Sequence, residues 1–215
     1  MRARKKKHAG ERIAACAHLL IADPMILAED PQAPFPERRP LHLEIGCGKG
    51  SFACGLAAAR PDINLIAMER VPDVTCLALE KAVREADSRP DNLRFLIGNA
   101  ENLTDWFPPH SVDCLYLNFS DPWPKARHEK RRLTHRLFLE RYKTVLKKGG
   151  VLRFKTDNAG LFDFSLAEFA AAGLSVRDVT RDLHNSPQNE GNIMTEYEKN
   201  FSEKGFPIHA VTVEF

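Results

Sequence analysis

The stretch that most constrains this chain runs from Leu41 to Ser51, Leu-His-Leu-Glu-Ile-Gly-Cys-Gly-Lys-Gly-Ser. A short apolar run carries an acid, Glu44, near its end, and glycines follow at alternate positions, Gly46, Gly48 and Gly50. The apolar segment from Phe52 to Ala59 comes next and reads as a helix. A strand, a tight glycine turn and a helix start form the first crossover of a nucleotide-binding α/β domain. Glycine is needed there because the backbone turns sharply and a ligand must approach where a Cβ would stand. After one helix and one strand, Ile63 to Met68, a second acid appears at Glu69. It stands where a ribose-binding carboxylate is expected, roughly 20 residues on.

A dinucleotide site favours G-x-G-x-x-G, whereas this chain has G-x-G-x-G with Glu44 two residues before the first glycine. That spacing resembles the first motif of class I methyltransferases that use S-adenosylmethionine. Their ligand has no pyrophosphate, and its cationic methionine end reaches an acid beside the glycines. The methyl donor is the better match, and a dinucleotide remains open on the loop alone.

Strands and helices alternate from Leu41 onward. Strands are predicted at Leu41 to Ile45, Ile63 to Met68, Leu93 to Ile97 and Ser111 to Leu117, then Val151 to Lys155, Leu174 to Thr180 and Ile208 to Phe215. Helices are predicted at Ser51 to Ala59, Val71 to Ala86 and Arg136 to Leu146, the last stopped by Lys147-Lys148-Gly149-Gly150. Thr156-Asp157-Asn158 caps a further helix through Ala172. The pattern predicts an α/β fold, a doubly wound, mostly parallel seven-stranded sheet with helices on both faces, Rossmann-like. Residues 1–40 read as a basic, proline-rich N-terminal arm with a helical segment near Ala9 to Leu20, and residues 41–215 as a single domain.

Composition narrows the function classes. The 215 residues carry a net charge of +2, but Arg2, Arg4, Lys5, Lys6 and Lys7 cluster at the start and a second basic run spans Lys125 to Arg132. Local basic patches on a nearly neutral chain point to an anionic partner over part of the surface. The five cysteines are scattered without metal-ligand spacing, so reduced thiols and no metal are expected. No apolar run is long enough to span a bilayer and no signal-peptide core follows the basic start, so a cytoplasmic protein without membrane contact is expected. Either a monomer or a homodimer is compatible with the sequence.

Ligands of such a fold gather at the carboxyl ends of the strands. Glu44, Glu69, Asn99 and Asp121 lie at or just after the ends of the first four predicted strands, with Ala100 beside Asn99. After the fourth strand, Ser120-Asp121-Pro122-Trp123-Pro124-Lys125 places an acid and two prolines around an aromatic. Prolines restrict the backbone and reduce the entropy lost in positioning Asp121, and the indole is a flat surface suited to stacking on a purine. Enzymes that methylate exocyclic or amide nitrogens tend to have Asn/Asp-Pro-Pro-Tyr/Phe at this point, so this chain departs from their pattern.

With these residues in hand the chain resembles the bacterial tRNA (guanine-N7-)-methyltransferase family, which methylates guanine at tRNA position 46 in the variable loop. Four stretches carry the resemblance: Glu-Ile-Gly-Cys-Gly-Lys-Gly from Glu44, Ser-Asp-Pro-Trp-Pro-Lys from Ser120, Phe-Lys-Thr-Asp-Asn from Phe154, and Thr-Glu-Tyr-Glu-Lys-Asn-Phe from Thr195. The resemblance implies S-adenosyl-L-methionine as cofactor, contacted by Glu44, Gly46, Gly48, Gly50, Glu69, Asn99, Ala100 and Asp121, with Asp121 also the catalytic centre. It implies that Lys125, Asp157, Thr195, Glu196, Tyr197 and Glu198 hold the substrate. Arg127, His128, Lys130, Arg131 and Arg132 would touch RNA, with tRNA as partner. Asn99 departs from relatives that carry Asp there.

The chemistry agrees. Guanine N7 has a lone pair and no proton to lose, so attack on a sulfonium methyl needs alignment and a nearby carboxylate rather than a general base. Two other readings stay open: another class I methyltransferase acting on a small molecule or protein, and an inactive methyltransferase fold that binds RNA.

Overall fold

The computed structural model describes residues 8–85 and 91–215. The basic opening from Arg2 to Lys7, and Ala86 at the end of the long predicted helix, lie outside the described residues. The chain divides into two units between Pro108 and Pro109.

The first unit contains α1 (Ala9–Ala15), β1 (Leu20–Ile21), α2 (Met25–Glu29), β2 (Leu41–Ile45), α3 (Ser51–Ala59), β3 (Asn64–Glu69), α4 (Pro72–Glu85), β4 (Leu93–Ile97) and α5 (Leu103–Trp106). Its strands lie in the order β1-β4-β3-β2, and the pairings β1/β4, β4/β3 and β3/β2 are all parallel. β2 and β3 are buried at nearly every position. Strands that are apolar on both faces persist only in a parallel sheet with cover on each side. The register Ile45↔Met68 and Glu69↔Ile97 brings the ends of β2, β3 and β4 level, so their following loops leave one edge of this unit.

Here the sequence reading needs correcting. The helix expected through Leu20 ends at Ala15, and Leu20–Ile21 pairs with Phe95 and Leu96 as an edge strand. A two-residue strand has too little alternation to be read from sequence, and it exists only because β4 offers it a partner. The proline-rich segment that follows is fastened down, for buried Asn64 donates to Gln32 Oε1 and to Glu37 O, each at 2.7 Å.

The second unit contains β5 (Val112–Asn118), α6 (Arg136–Val145), β6 (Leu146–Thr156), α7 (Ala159–Ala171), β7 (Ser175–Thr180), α8 (Glu196–Ser202) and β8 (His209–Glu214). β5 and β6 are parallel, whereas β8 runs antiparallel to both β6 and β7. Lys147-Lys148-Gly149-Gly150 is not the helix stop expected from sequence; it belongs to β6. The Gly149 amide donates to Phe215 O at 2.8 Å and the Phe215 amide to Gly150 O at 3.0 Å, so the chain end draws these glycines into the ladder. With β1 the strands number eight among the described residues rather than seven, in a mostly parallel Rossmann-like arrangement.

Candidate active site

In the first unit the glycine loop is held by backbone and by one acid. Gly46, Gly48 and Gly50 have φ of 81°, 56° and 80°, the left-handed region that glycine enters without steric cost. The amides of Gly46 and Cys47 donate to Met68 O at 2.8 and 3.0 Å. Glu69, the last residue of β3, accepts from the Gly48 amide at 3.2 Å and, through its other oxygen, from the Val71 amide at 3.0 Å. One carboxylate therefore braces the loop against the start of α4.

A methyl group on Gly46 or Gly48 would meet nothing within 4 Å, so room for a ligand lies over these two glycines. Gly50 is different: its Cβ would stand 2.9 Å from Ala78 Cβ, and the absence of a side chain lets α3 approach α4. Beside the loop, Ser51 Oγ is buried with no hydrogen-bond partner in the protein. An orphaned hydroxyl at the end of a glycine loop fits a ligand with polar edges. Glu44 is only 1% exposed, and burial together with Glu44 and Glu69 pushes the Cys47 thiol well above its ordinary range. Cys47 therefore stays a protonated, unreactive thiol.

Asn99 and Ala100 follow β4. The Asn99 side chain accepts from the Glu101 amide at 3.3 Å and donates to the Glu101 carboxylate at 3.1 Å, capping the turn Ala100–Asn102. Gly98 before it has no room for a Cβ, which would stand 2.4 Å from the Trp106 ring.

Asp121 lies in the second unit, in the loop after β5, and is exposed. Two bulky residues flank it with left-handed backbone, Phe119 at φ 53° and Trp123 at φ 42°. Such conformations cost on the order of 1–3 kcal/mol each and persist only where surrounding contacts over-determine them. Those contacts are present. The Phe119 amide donates to Lys155 O at 2.9 Å, and Arg132 donates to Pro122 O and Trp123 O at 3.0 and 3.1 Å. The Arg131 guanidinium lies 5.0 Å from the Trp123 ring centroid and His128 meets that ring edge-on at 5.7 Å. Ser120 Oγ is buried in the same loop with no hydrogen-bond partner.

The basic run thus splits in two. Arg131, Arg132 and His128 hold the Asp121 loop and cover part of the indole that the sequence suggested for purine stacking. Arg127 and Lys130, on the turn Ala126–Arg131, are exposed, as is Lys125 before it.

Asp157 follows β6 and accepts a hydrogen bond from the Tyr197 hydroxyl at 3.3 Å. Tyr197 is 43% exposed, stacks on Phe201 at 4.2 Å and packs 5.0 Å from Phe119. Burial and the nearby Asp157 carboxylate push its phenol up to about 12.

Glu198 lies deeper in the same unit. It is 0% exposed, and its oxygens accept from Lys155 Nζ at 2.7 Å, His184 Nε2 at 2.9 Å and Asn192 Nδ2 at 2.8 Å. Burial opposes its charge, but Lys155 and these hydrogen bonds prevail and hold the carboxyl below its usual range. Thr195 Oγ1 accepts from the Glu198 amide at 2.9 Å, and the two residues form a capping box at the start of α8. Thr195 and Glu198 therefore build the helix start, and Glu196 opens the same turn. The Thr-x-x-Glu spacing carries that signal in the sequence itself. Lys155 was visible only as part of the Phe-Lys-Thr-Asp-Asn stretch, and His184 and Asn192 carried no signal, because nothing local marks a residue as a partner to a buried acid.

Among the described residues no group of His, Cys, Asp or Glu is arranged to hold a metal ion, the five cysteines form no disulfide, and no helix is long and apolar enough to cross a membrane.

The sheet order, the glycine loop and the acid that ends β3 define a class I methyltransferase fold. A solved structure described as "Crystal Structure of 16S rRNA Methyltranferase KamB" superposes with a TM-score of 0.61 at 17% identity, covering 87% of this chain and 92% of that one. The family model described as "Putative methyltransferase" matches residues 38–211. Similarity extends over the full length to two proteins named tRNA (guanine-N(7)-)-methyltransferase. The one from Bacillus subtilis (strain 168) is 46% identical over 215 residues, covering 100% of this chain and 99% of its own. The one from Streptococcus pyogenes serotype M6 is 45% identical, with 100% of both chains covered. The chain belongs to the tRNA (guanine-N7-)-methyltransferase family.

Proposed function

We propose that this enzyme transfers a methyl group from S-adenosyl-L-methionine to N7 of the variable-loop guanine in tRNA. The observation that carries the reading is full-length identity of 46% to a tRNA (guanine-N(7)-)-methyltransferase, with three of the four motifs at strand ends or in the loops beyond them and the fourth at α8. The glycine loop, Ser51 and Glu69 fit the donor, with Glu44, Asn99 and Ala100 beside them. The donor supplies an electrophilic methyl on a cationic sulfur. Asp121, an exposed carboxylate in a strained and braced loop, supports the positive charge that grows on the purine as N7 attacks. No step needs a general base, since N7 carries no proton. Asp157 accepts from the N–H edge of guanine, and Lys125 stands beside the Asp121 loop to meet the substrate. Incubation with labelled donor and bulk tRNA is expected to yield N7-methylguanosine at one variable-loop position. Label on another base, or on protein alone, would overturn the reading.

The RNA surface is assigned to Arg127 and Lys130, the two exposed cations that hold nothing in the Asp121 loop. Replacing both with Ala is expected to lower the slope of log affinity for tRNA against log salt by about two units, roughly 0.9 for each lost phosphate contact. Calorimetry with the free methyl donor is expected to show no change. An unaltered slope would place both cations in solvent only.

A further inference from the structure

Resting on the reading of Asp121 and Asp157 as the substrate side, we propose that Lys155 is the positioning residue of the guanine site. It joins three separate segments: the Asp121 loop through its carbonyl, Asp157 through the strand it shares, and α8 with Tyr197 through its ammonium.

The geometry of one residue carries this. Lys155 is next to last in β6, two positions before Asp157, and its side chain is 10% exposed. Its ammonium has three donors, and three acceptors meet it: Asn192 Oδ1 at 2.9 Å, Ile193 O at 2.9 Å and Glu198 Oε2 at 2.7 Å. The cation thus ties both the segment before α8 and the helix itself to β6. Its carbonyl accepts from the Phe119 amide at 2.9 Å, at the left-handed residue that opens the Asp121 loop. From Glu198 the path is short. Tyr197 is its neighbour on α8, donates to Asp157 at 3.3 Å and packs on Phe119 at 5.0 Å.

A buried ion pair is weak support for stability, because desolvation offsets most of its attraction, but it specifies one arrangement strongly. Four charged or polar side chains on three segments must converge for it to exist: Lys155 on β6, His184 and Asn192 in the stretch between β7 and α8, and Glu198 on α8. Without Lys155, α8 remains capped by Thr195 and packed through Phe201, but it loses the ionic tie that fixes its register against β6, the strand that leads into Asp157. Tyr197 then no longer orients the carboxylate, and the substrate edge meets a disordered acceptor.

The test compares Lys155→Met with the double variant Lys155→Met/Glu198→Leu, which removes both buried charges together and guards against simple misfolding of the single change. Both are expected to bind free S-adenosylmethionine as the unmutated enzyme does. KM for tRNA is expected to rise at least tenfold, and more than kcat falls. Tyrosine absorbance is expected to report loss of the Tyr197 contact, with its phenol ionising at lower pH in the variants than in the unmutated protein. A purely structural role would lower melting temperature and active fraction while leaving KM and the tyrosine titration unchanged, which would overturn the proposal. So would a folded double variant with normal KM. Asp157→Ala, assayed alongside, separates the two levels. If it is fully active, the guanine-site reading itself fails; if it is inactive while the double variant is normal, only the role of Lys155 fails.

Discussion

Asp157→Ala is expected to bind the methyl donor normally and to lose about 10³-fold or more in kcat/KM for tRNA. Guanine differs from adenine by N1–H and N2–H₂ donors and an O6 acceptor, so a selective site must offer acceptors to the first two. A site built to pair such groups discriminates by roughly 10⁴ to 10⁵, because its own polar atoms are left unpaired by the wrong partner. Two acids were candidates for that acceptor on sequence grounds. Glu198 is buried and already accepts from Lys155, His184 and Asn192. Asp157 is partly exposed and meets only a hydroxyl donor from Tyr197. The same logic makes a tRNA with adenine at the target position inert to the unmutated enzyme. Single-turnover methylation of both tRNAs, with donor affinity from calorimetry, checks the result. Full activity of Asp157→Ala, or methylation of the adenine tRNA at a comparable rate, would remove Asp157 from this role.

Glu69→Ala is expected to weaken donor binding by about 1.5–3 kcal/mol, the usual range for a hydrogen bond to a charged group. The structure adds a second reason for the loss. Glu69 also accepts from the amides of Gly48 and Val71, so its removal leaves those donors without the carboxylate and loosens the glycine loop. Glu69→Gln separates the two effects, since the amide oxygen still accepts one bond while the charge is gone. Its affinity is expected to lie between those of the unmutated protein and Glu69→Ala. Calorimetric titration measures all three, and an unchanged affinity in Glu69→Ala would sink the assignment.

Much of the fold was legible because its signals are local. The bounds of α3 match those read from the apolar run after the glycines, and β2 and β4 likewise. The Asn158 cap of α7 was visible as a polar side chain before an apolar period, and its Oδ1 accepts from the Leu161 amide at 2.8 Å. The misses were of one kind. β1 has no period of its own, and Gly149-Gly150 looked like a helix stop because glycine serves both purposes. Only pairing with a distant strand told the two uses apart. In the basic run, charge alone could not separate Arg127 and Lys130 from Arg132, whose guanidinium is engaged by carbonyls 9 and 10 residues away in the chain.

The sequence by itself determined the family, the alternating architecture, the left-handed glycine loop and the acids at the strand ends. Each follows from residue types at fixed short spacing, where sterics and periodicity act over a few positions. Tertiary structure alone decided the surroundings of the two acids Asp157 and Glu198. Asp157 and Glu198 are equivalent as carboxylates, and what distinguishes them is a lysine 43 residues from Glu198 and a histidine 14 residues from it. Burial and ion pairing are set by atoms brought together in space, and the spacing of residues along the chain does not encode them.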